Sequence, residues 1–332
     1  MKDLISRVQQ RSKQYRPLPF WSWNDKLKTD MTAWQIKEMA KTGHGGYFMH
    51  ARGGIQTDYL SDEWFEQVEV GIKEGLANDL DPWLYDESGW PSGFAGGEVT
   101  AKGKAFHAKG LFIDYIDTIG AYEKDDNFLN FYEIDASTKE IRVITEDTTN
   151  PMVAIKYTVC SDYIDILNHE VIEYFIECTH EKYYEKFKEQ FGTGLKGFFT
   201  DEPRISEGDV PWSHLLPDEF KKRYGYNLLD YLPALFMETK DYEKVRYDFW
   251  ALISDLFVTA FMKQLYDWCD DHDTELTGHV MMEESLYSQM TGTAGSMPFY
   301  EYMHVPGVDW LRRTMGNSIM TKQVGSAAEQ LG

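Results

Sequence analysis

Lys196-Gly-Phe-Phe-Thr-Asp-Glu-Pro-Arg204 is the stretch on which the reading of this chain turns. Gly197, Phe198 and Phe199 make the short apolar run of a buried parallel strand. It stops at Asp201, Glu202 and Pro203, and proline has no N–H to continue a sheet interior. In α/β architectures the loops after the strand C-termini ring one open face and carry the chemistry. Glu202 is therefore the first candidate for an acid or base. The alternative is that Asp201 caps the next helix and Glu202 is solvated.

Upstream, residues 17–24 read as a first strand ending on Trp21, Trp23 and Asn24. Thr29 and Asp30 open a helix that runs to Lys41 and stops at Gly43. Residues 44–54 give a second strand finishing on His50 and Arg52, and its glycines lack the spacing of a phosphate-cradling loop. Ser61 caps a second helix with Phe65, Val68, Ile72 and Leu76 as its buried stripe. The third strand, 82–87, again ends on carboxylates, Asp86 and Glu87, and the glycine-rich loop 88–97 follows. Strands alternating with helices in this way indicate a parallel β/α arrangement.

From 101 to 162 the pattern changes to period two at 140–144 and 152–159, which predicts a β-rich insertion of half-buried antiparallel strands after strand three. One helix is expected over 168–191, burying Ile172, Phe175, Thr179, Tyr183, Phe187 and Phe191, and it leads into the Glu202 strand. Residues 204–240 read as irregular with short helices. A long helix over 242–271 follows, burying Phe249, Ile253, Leu256, Ala260, Gln264 and Trp268. The fifth strand is 275–284, a sixth is expected near 303–310, and a last helix near 317–331. The whole is expected to be a (β/α)8 TIM-type barrel of about six units, incomplete at the C-terminus before strand seven.

A chain of 332 residues accommodates one large α/β barrel with insertions or two smaller domains. The formal charge of -22, with no long basic run to offset it, argues against nucleic acid and anionic membrane surfaces as partners. The first residues lack a hydrophobic signal core and no window approaches a membrane span, so a soluble, cytoplasmic protein is expected. Cys160, Cys178 and Cys269 are odd in number and widely spaced, and they read as reduced, mostly buried thiols. Ten Trp and 21 Tyr suit a surface that stacks sugar rings, although a large core also collects aromatics.

Five stretches are together more specific than any one of them: residues 19–24, 46–54, 83–97, 197–203 and 276–284, of which Trp-Leu-Tyr-Asp-Glu-Ser-Gly-Trp-Pro-Ser-Gly-Phe-Ala-Gly-Gly is the most distinctive. In this order they resemble the α-L-rhamnosidase-like glycoside hydrolases of family 106, whose catalytic domain is a TIM-type barrel. The resemblance covers nearly the whole chain from Pro17. It implies that Glu202 is the general acid protonating the leaving glycosidic oxygen. It also implies a second carboxylate at the end of the seventh strand, which departs from this chain because that strand lies beyond its last residues. Finally, it implies calcium near the sugar hydroxyls, with no individual ligands assigned.

Glycoside hydrolysis needs one protonated and one ionised carboxyl. Burial against Phe198 and Phe199 and the charge of Asp201 would raise the pKa of Glu202. Asp86 and Glu87 are candidates to bind sugar hydroxyls, hold a cation or cap the following turn. His50 and Arg52 either hydrogen-bond substrate or, for Arg52, form a structural ion pair. His279 is either a substrate contact or a satisfied core histidine. Of the adjacent Glu283 and Glu284, Glu283 is taken to face inward. Trp23 and Trp90 are either sugar platforms or packing. A zinc hydrolase lacks its His-Glu-X-X-His spacing, and a serine triad lacks its Gly-X-Ser-X-Gly elbow. The competing reading is a non-catalytic carbohydrate-binding protein or an inactive truncated fragment, whose open barrel edge would self-associate unless covered.

Overall fold

Six parallel strands form the scaffold in the computed structural model, which describes residues 5–6, 13–205, 210–310 and 318–331. Strand β1 (Phe20–Trp23) is followed by helix α1 (Thr29–Lys41), β2 (Gly46–Ala51), α2 (Asp62–Ala77) and β3 (Asp81–Ser88). After an antiparallel excursion come α3 (His169–Cys178), α4 (His180–Phe187) and β8 (Gly197–Asp201). The excursion supplies β4 (His107–Ile116), β5 (Phe128–Ile134), β6 (Ile141–Ile144) and β7 (Met152–Ile164). Beyond β8 lie β9 (Val210–Trp212), α5 (Leu216–Tyr224), α6 (Tyr242–Phe257), α7 (Lys263–Asp271) and β10 (Glu275–His279). Helix α8 (Leu286–Thr293), β11 (Val305–Pro306) and α9 (Ile319–Leu331) complete the described chain.

The parallel sheet has the order β1-β2-β3-β8-β10-β11, and among the described residues it is open, with β1 and β11 at its edges. Its two faces follow from the period-two alternation of strands. On one face the rings of Phe20, Phe48, Tyr85 and Phe199 meet across strands, Phe20 lying 5.1 Å from Phe199 and 5.5 Å from Tyr85. The other face carries the helices: Trp23 packs 5.0 Å from Trp64 of α2, and Phe198 packs 5.7 Å from Trp268 of α7.

Local chemistry fixes each helix. The Ser61 side chain accepts the Trp64 N–H, with Asp62 and Glu63 in the first turn of α2. Phe65, Val68 and Ile72 are buried as the spacing predicts, whereas Leu76 at the last turn is exposed. The single helix expected over 168–191 is two, because Thr179 leaves helical geometry and its hydroxyl bonds the Phe175 carbonyl and the His180 Nδ1. The expected stripe stays buried across the break. In the long helix a π segment, Val258–Met262, joins α6 to α7, and Gln264 is only half-buried while Leu265 faces the core.

Strands β6-β5-β7-β4-β9 form an antiparallel sheet, as the insertion predicts. Of its strands only β6 and β7 were read from period two, and β4 and β5 lie in the expected insertion without having been singled out. Val210–Trp212 lies in the segment expected to be irregular and pairs with β4 through Lys109 and Trp212. The sixth parallel strand shrinks to Val305–Pro306, since Pro306 lacks a ladder donor. Strand five ends at His279 rather than continuing to Glu284. Of the free cysteines, Cys269 is buried, Cys178 is half-buried and Cys160, expected inside, is exposed. Among the described residues no helix is long and apolar enough to cross a membrane.

Gly278 sets the approach of β10 to β8. At φ +146 its missing Cβ would overlap the Thr200 carbonyl. Gly278→Ala is expected to lower stability by more than the about 1–3 kcal/mol of backbone strain alone. The reading is the urea unfolding midpoint, and no change in it would mean that β10 moves away without cost.

Candidate active site

The C-terminal ends of β3, β8 and β10 meet in one hydrogen-bonded network. In register, His279 stands beside Asp201. The His279 Nε2 lies 2.9 Å from Asp201 Oδ1, and the Tyr85 hydroxyl donates to Asp201 Oδ2 at 2.8 Å. The backbone of Asp201 is clamped by Ser92 of the glycine-rich loop, whose N–H reaches the Asp201 carbonyl at 2.9 Å and whose Oγ accepts the Asp201 N–H at 2.8 Å. On its other side the His279 Nδ1 lies 3.7 Å from Glu283 Oε2. Glu283 accepts from the Tyr300 hydroxyl at 3.0 Å and from the Asp309 N–H at 2.9 Å.

Glu202 stands in front of this network. Its φ of 48 is left-handed, a conformation that costs a non-glycine residue about 1–2 kcal/mol and is held here by the bond from its N–H to the His279 carbonyl at 3.2 Å. That conformation turns the side chain so that the Trp90 indole N–H donates to Glu202 Oε2 at 2.9 Å. Burial pushes the Glu202 carboxyl above its ordinary value; the positive charge of His279 opposes the shift, and Asp201 and Asp309 add to it.

The rest of the cluster shares out charge. Burial opposes protonation of His279, but Asp201, Glu283 and Glu202 outweigh it and raise the imidazole to about 9. Burial pushes Asp201 up, and the hydrogen bond and charge of His279 with the Tyr85 hydroxyl bring it below the ordinary carboxylate value. Glu283 is raised to about 7 by burial, against the Asp309 N–H and His279. At neutral pH the network thus holds an imidazolium against the Asp201 carboxylate, with Glu283 near its midpoint on the other side and Glu202 in front.

Most of the strand-end residues singled out from sequence are in or near this network, yet few face solvent. Trp90 and Arg52 are exposed; the Arg52 guanidinium lies 3.8 Å from Asp201, a surface pair of little strength. Asp201, His279 and Glu283 are buried and act behind Glu202 rather than at the surface. His50 is also buried, stacked 3.6 Å from the Tyr85 ring, and burial followed by the Arg52 charge lowers it to about 4, so it is neutral.

Three residues offered as sugar contacts take the structural alternative instead. Trp23 is packing, wedged against Trp21 and Trp64 on the helix face. Asp86 is wholly buried and spent on the Ser92 hydroxyl at 2.6 Å, where burial raises its carboxyl well above the ordinary value. Glu87 is wholly buried too, and its two oxygens accept the backbone N–H groups of Ser88, Gly93, Phe94, Ala95 and Gly96. It is the anchor that folds the loop carrying Trp90 and Ser92. Glu87→Gln replaces an acceptor oxygen with a donor facing those N–H groups. A loss of more than about 2 kcal/mol is expected, with faster proteolysis within 88–97. Wild-type resistance of that loop would contradict the anchoring.

Tyr85, Ser92, Tyr300 and Asp309 were not singled out from sequence. Asp309 had a usable signal, since it follows the sixth strand as Glu202 follows β8. Ser92 and Tyr300 lie in a loop and a helical turn whose approach no periodicity reveals.

Among the described residues, Glu202, His279 and Asp309 each place a ligand-type atom within 4.8 Å of the others. This trio does not fit calcium. It offers two carboxylates and an imidazole nitrogen, whereas calcium takes about six to eight oxygen ligands.

Parallel strand ends thus gather a buried acid–base network behind a partly exposed carboxyl and an indole on an α/β scaffold. The family model described as alpha-L-rhamnosidase, glycoside hydrolase family 106, matches residues 159–326, slightly more than half of the chain, and the chain belongs to that family. Among solved structures, a rhamnosidase from Novosphingobium sp. PP1Y superposes with a TM-score of 0.69 at 12% identity over 98% of this chain. The chain spans about half of that structure, 52% of its length. No curated protein matches.

Proposed function

We propose that this chain supplies the acid side of a glycoside hydrolase acting on α-L-rhamnosides or related glycans, with Glu202 as the general acid. The observation that carries this is the Glu202 carboxyl itself. It is pushed above its ordinary value, partly exposed, and held by Trp90 in front of a buried charge network. A carboxyl in that state keeps a proton to give to a leaving glycosidic oxygen. Trp90 and Arg52, the exposed members of the mouth, are placed to contact the sugar, the indole by its face and the guanidinium by hydrogen bonds to hydroxyls.

The six parallel strands are further read as an arc of a TIM-type barrel. Their spatial order repeats their chain order with no reversal. A doubly wound sheet would have a switch point where the order turns back. The aromatic face of Phe20, Phe48, Tyr85 and Phe199, turned away from the helices, is then the inside of the arc.

Hydrolysis of an α-L-rhamnoside with a poor, alkyl leaving group by the protein and by Glu202→Gln tests the proposal. Saturable rhamnose binding in calorimetry without any turnover would replace hydrolysis by recognition alone.

A further inference from the structure

We propose that Asp309 is a positioning residue that helps to keep the proton on Glu202. The inference rests on Glu202 being the acid, and it begins from geometry. Ligand-type atoms of Asp309, Glu202 and His279 lie within 4.8 Å of one another. A base that activates water stands about 6.5–9.5 Å from the acid, and a nucleophile about 5–5.5 Å. Asp309 is too close to be the water-activating partner, and a carboxylate this near disfavours ionisation of Glu202.

The segment bearing Asp309 is held in place. Its backbone N–H is bonded to Glu283 Oε2 at 2.9 Å, and Glu283 is tied in turn to Tyr300. The Asp309 side chain is thereby delivered to Glu202 from the segment after β11, on the same cluster that β8 and β10 build. The charged groups around Glu202 are His279 from β10, Asp201 from β8 and Asp309, while the Arg204 guanidinium lies over the Trp90 ring at 5.7 Å. The imidazolium of His279 alone would draw the proton off Glu202. Burial and the Asp201 charge oppose that pull, with Asp201 itself tied to His279 and Tyr85. Asp309 adds a further carboxylate on the same side of the balance, from the segment after β11.

Asp309→Asn removes the charge and keeps the backbone N–H that Glu283 uses. Carbon-13 NMR of the side-chain carboxyls, with the Glu202 signal assigned by its loss in Glu202→Gln, reads the titration directly in this chain. The Glu202 midpoint is expected to fall by about one pH unit in Asp309→Asn, with the Glu283 midpoint moving less, and Asp309→Glu is expected to restore it. An unmoved Glu202 midpoint, or equal shifts of both carboxyls, overturns the proposal. Failure of the underlying reading is seen elsewhere: a Glu202→Gln protein with full hydrolytic activity removes the acid and this inference with it. An inactive Glu202→Gln beside an unmoved midpoint removes this inference alone.

Discussion

Replacing Glu202 with glutamine is expected to cut hydrolysis of a rhamnoside with a poor leaving group by about 10²–10⁴-fold, the range typical of a lost general acid. Glutamine has nearly the same shape, and its carbonyl oxygen still accepts the Trp90 indole N–H that Glu202 Oε2 receives at 2.9 Å. Binding should therefore survive, and the loss should fall on kcat. An activated aryl leaving group departs without a proton, so the same variant should lose far less on such a substrate. That split between leaving groups is the signature of proton donation, because a misfolded or poorly binding variant would be slow on both. Since burial and the charges of Asp201 and Asp309 hold the carboxyl above its ordinary value, the wild-type rate on poor leaving groups should fall on the alkaline side as that proton is lost. Equal rates for variant and wild type on both substrates would show that Glu202 is not the acid.

The scaffold was legible where periodicity decides it. Period two separates strand faces and period 3.6 gives helix stripes, so β1, β2, β3, β8 and β10 and the helices between them lie where sequence puts them. Of the antiparallel sheet, β6 and β7 were legible for the same reason, and β4, β5 and β9 were not singled out. What periodicity does not contain is the direction in which a strand-end side chain turns once its loop folds back. Asp86 and Glu87 obey the rule that strand-end acids carry chemistry, yet the loop 88–97 wraps onto both and uses them up as acceptors. Glycines let that loop present N–H groups of Gly93, Phe94, Ala95 and Gly96 to one carboxylate, and no spacing in the sequence distinguishes such a cradle from a sugar-binding lip. Glu202 escapes the same fate because Pro203 follows it and the chain leaves in a left-handed turn. Thr179 and β9 were missed for a further reason, since a hydroxyl choosing its own backbone and a distant strand pairing are both outside any local window.

His279→Gln is the substitution expected to cost most stability, and its effect should depend on pH. The imidazolium sits between Asp201 at 2.9 Å and Glu283 at 3.7 Å, and removing one partner of a buried ion pair costs about 3–5 kcal/mol because the remaining charge is left uncompensated. The folded imidazole titrates at about 9 against an ordinary 6.5, so the folded state holds this proton more tightly than the unfolded chain. Its contribution, on the order of 3 kcal/mol, is complete below the ordinary value and is lost as pH rises through about 9. Glu283 and Glu87, both raised to about 7 by burial, act in the same direction and are spent once pH passes that value. His50, lowered to about 4, and His180, lowered to about 3, act oppositely, but only below an ordinary imidazole value of 6.5. Below neutrality the two pairs therefore oppose one another. Between about 7 and 9 the His279 proton is lost, which lowers the wild-type unfolding free energy across that interval. In His279→Gln the curve should be lower at neutral pH and nearly flat, meeting the wild type at the alkaline end. Urea unfolding at several values in that window measures both curves, and two parallel curves would show that the imidazolium does not hold Asp201 and Glu283 together.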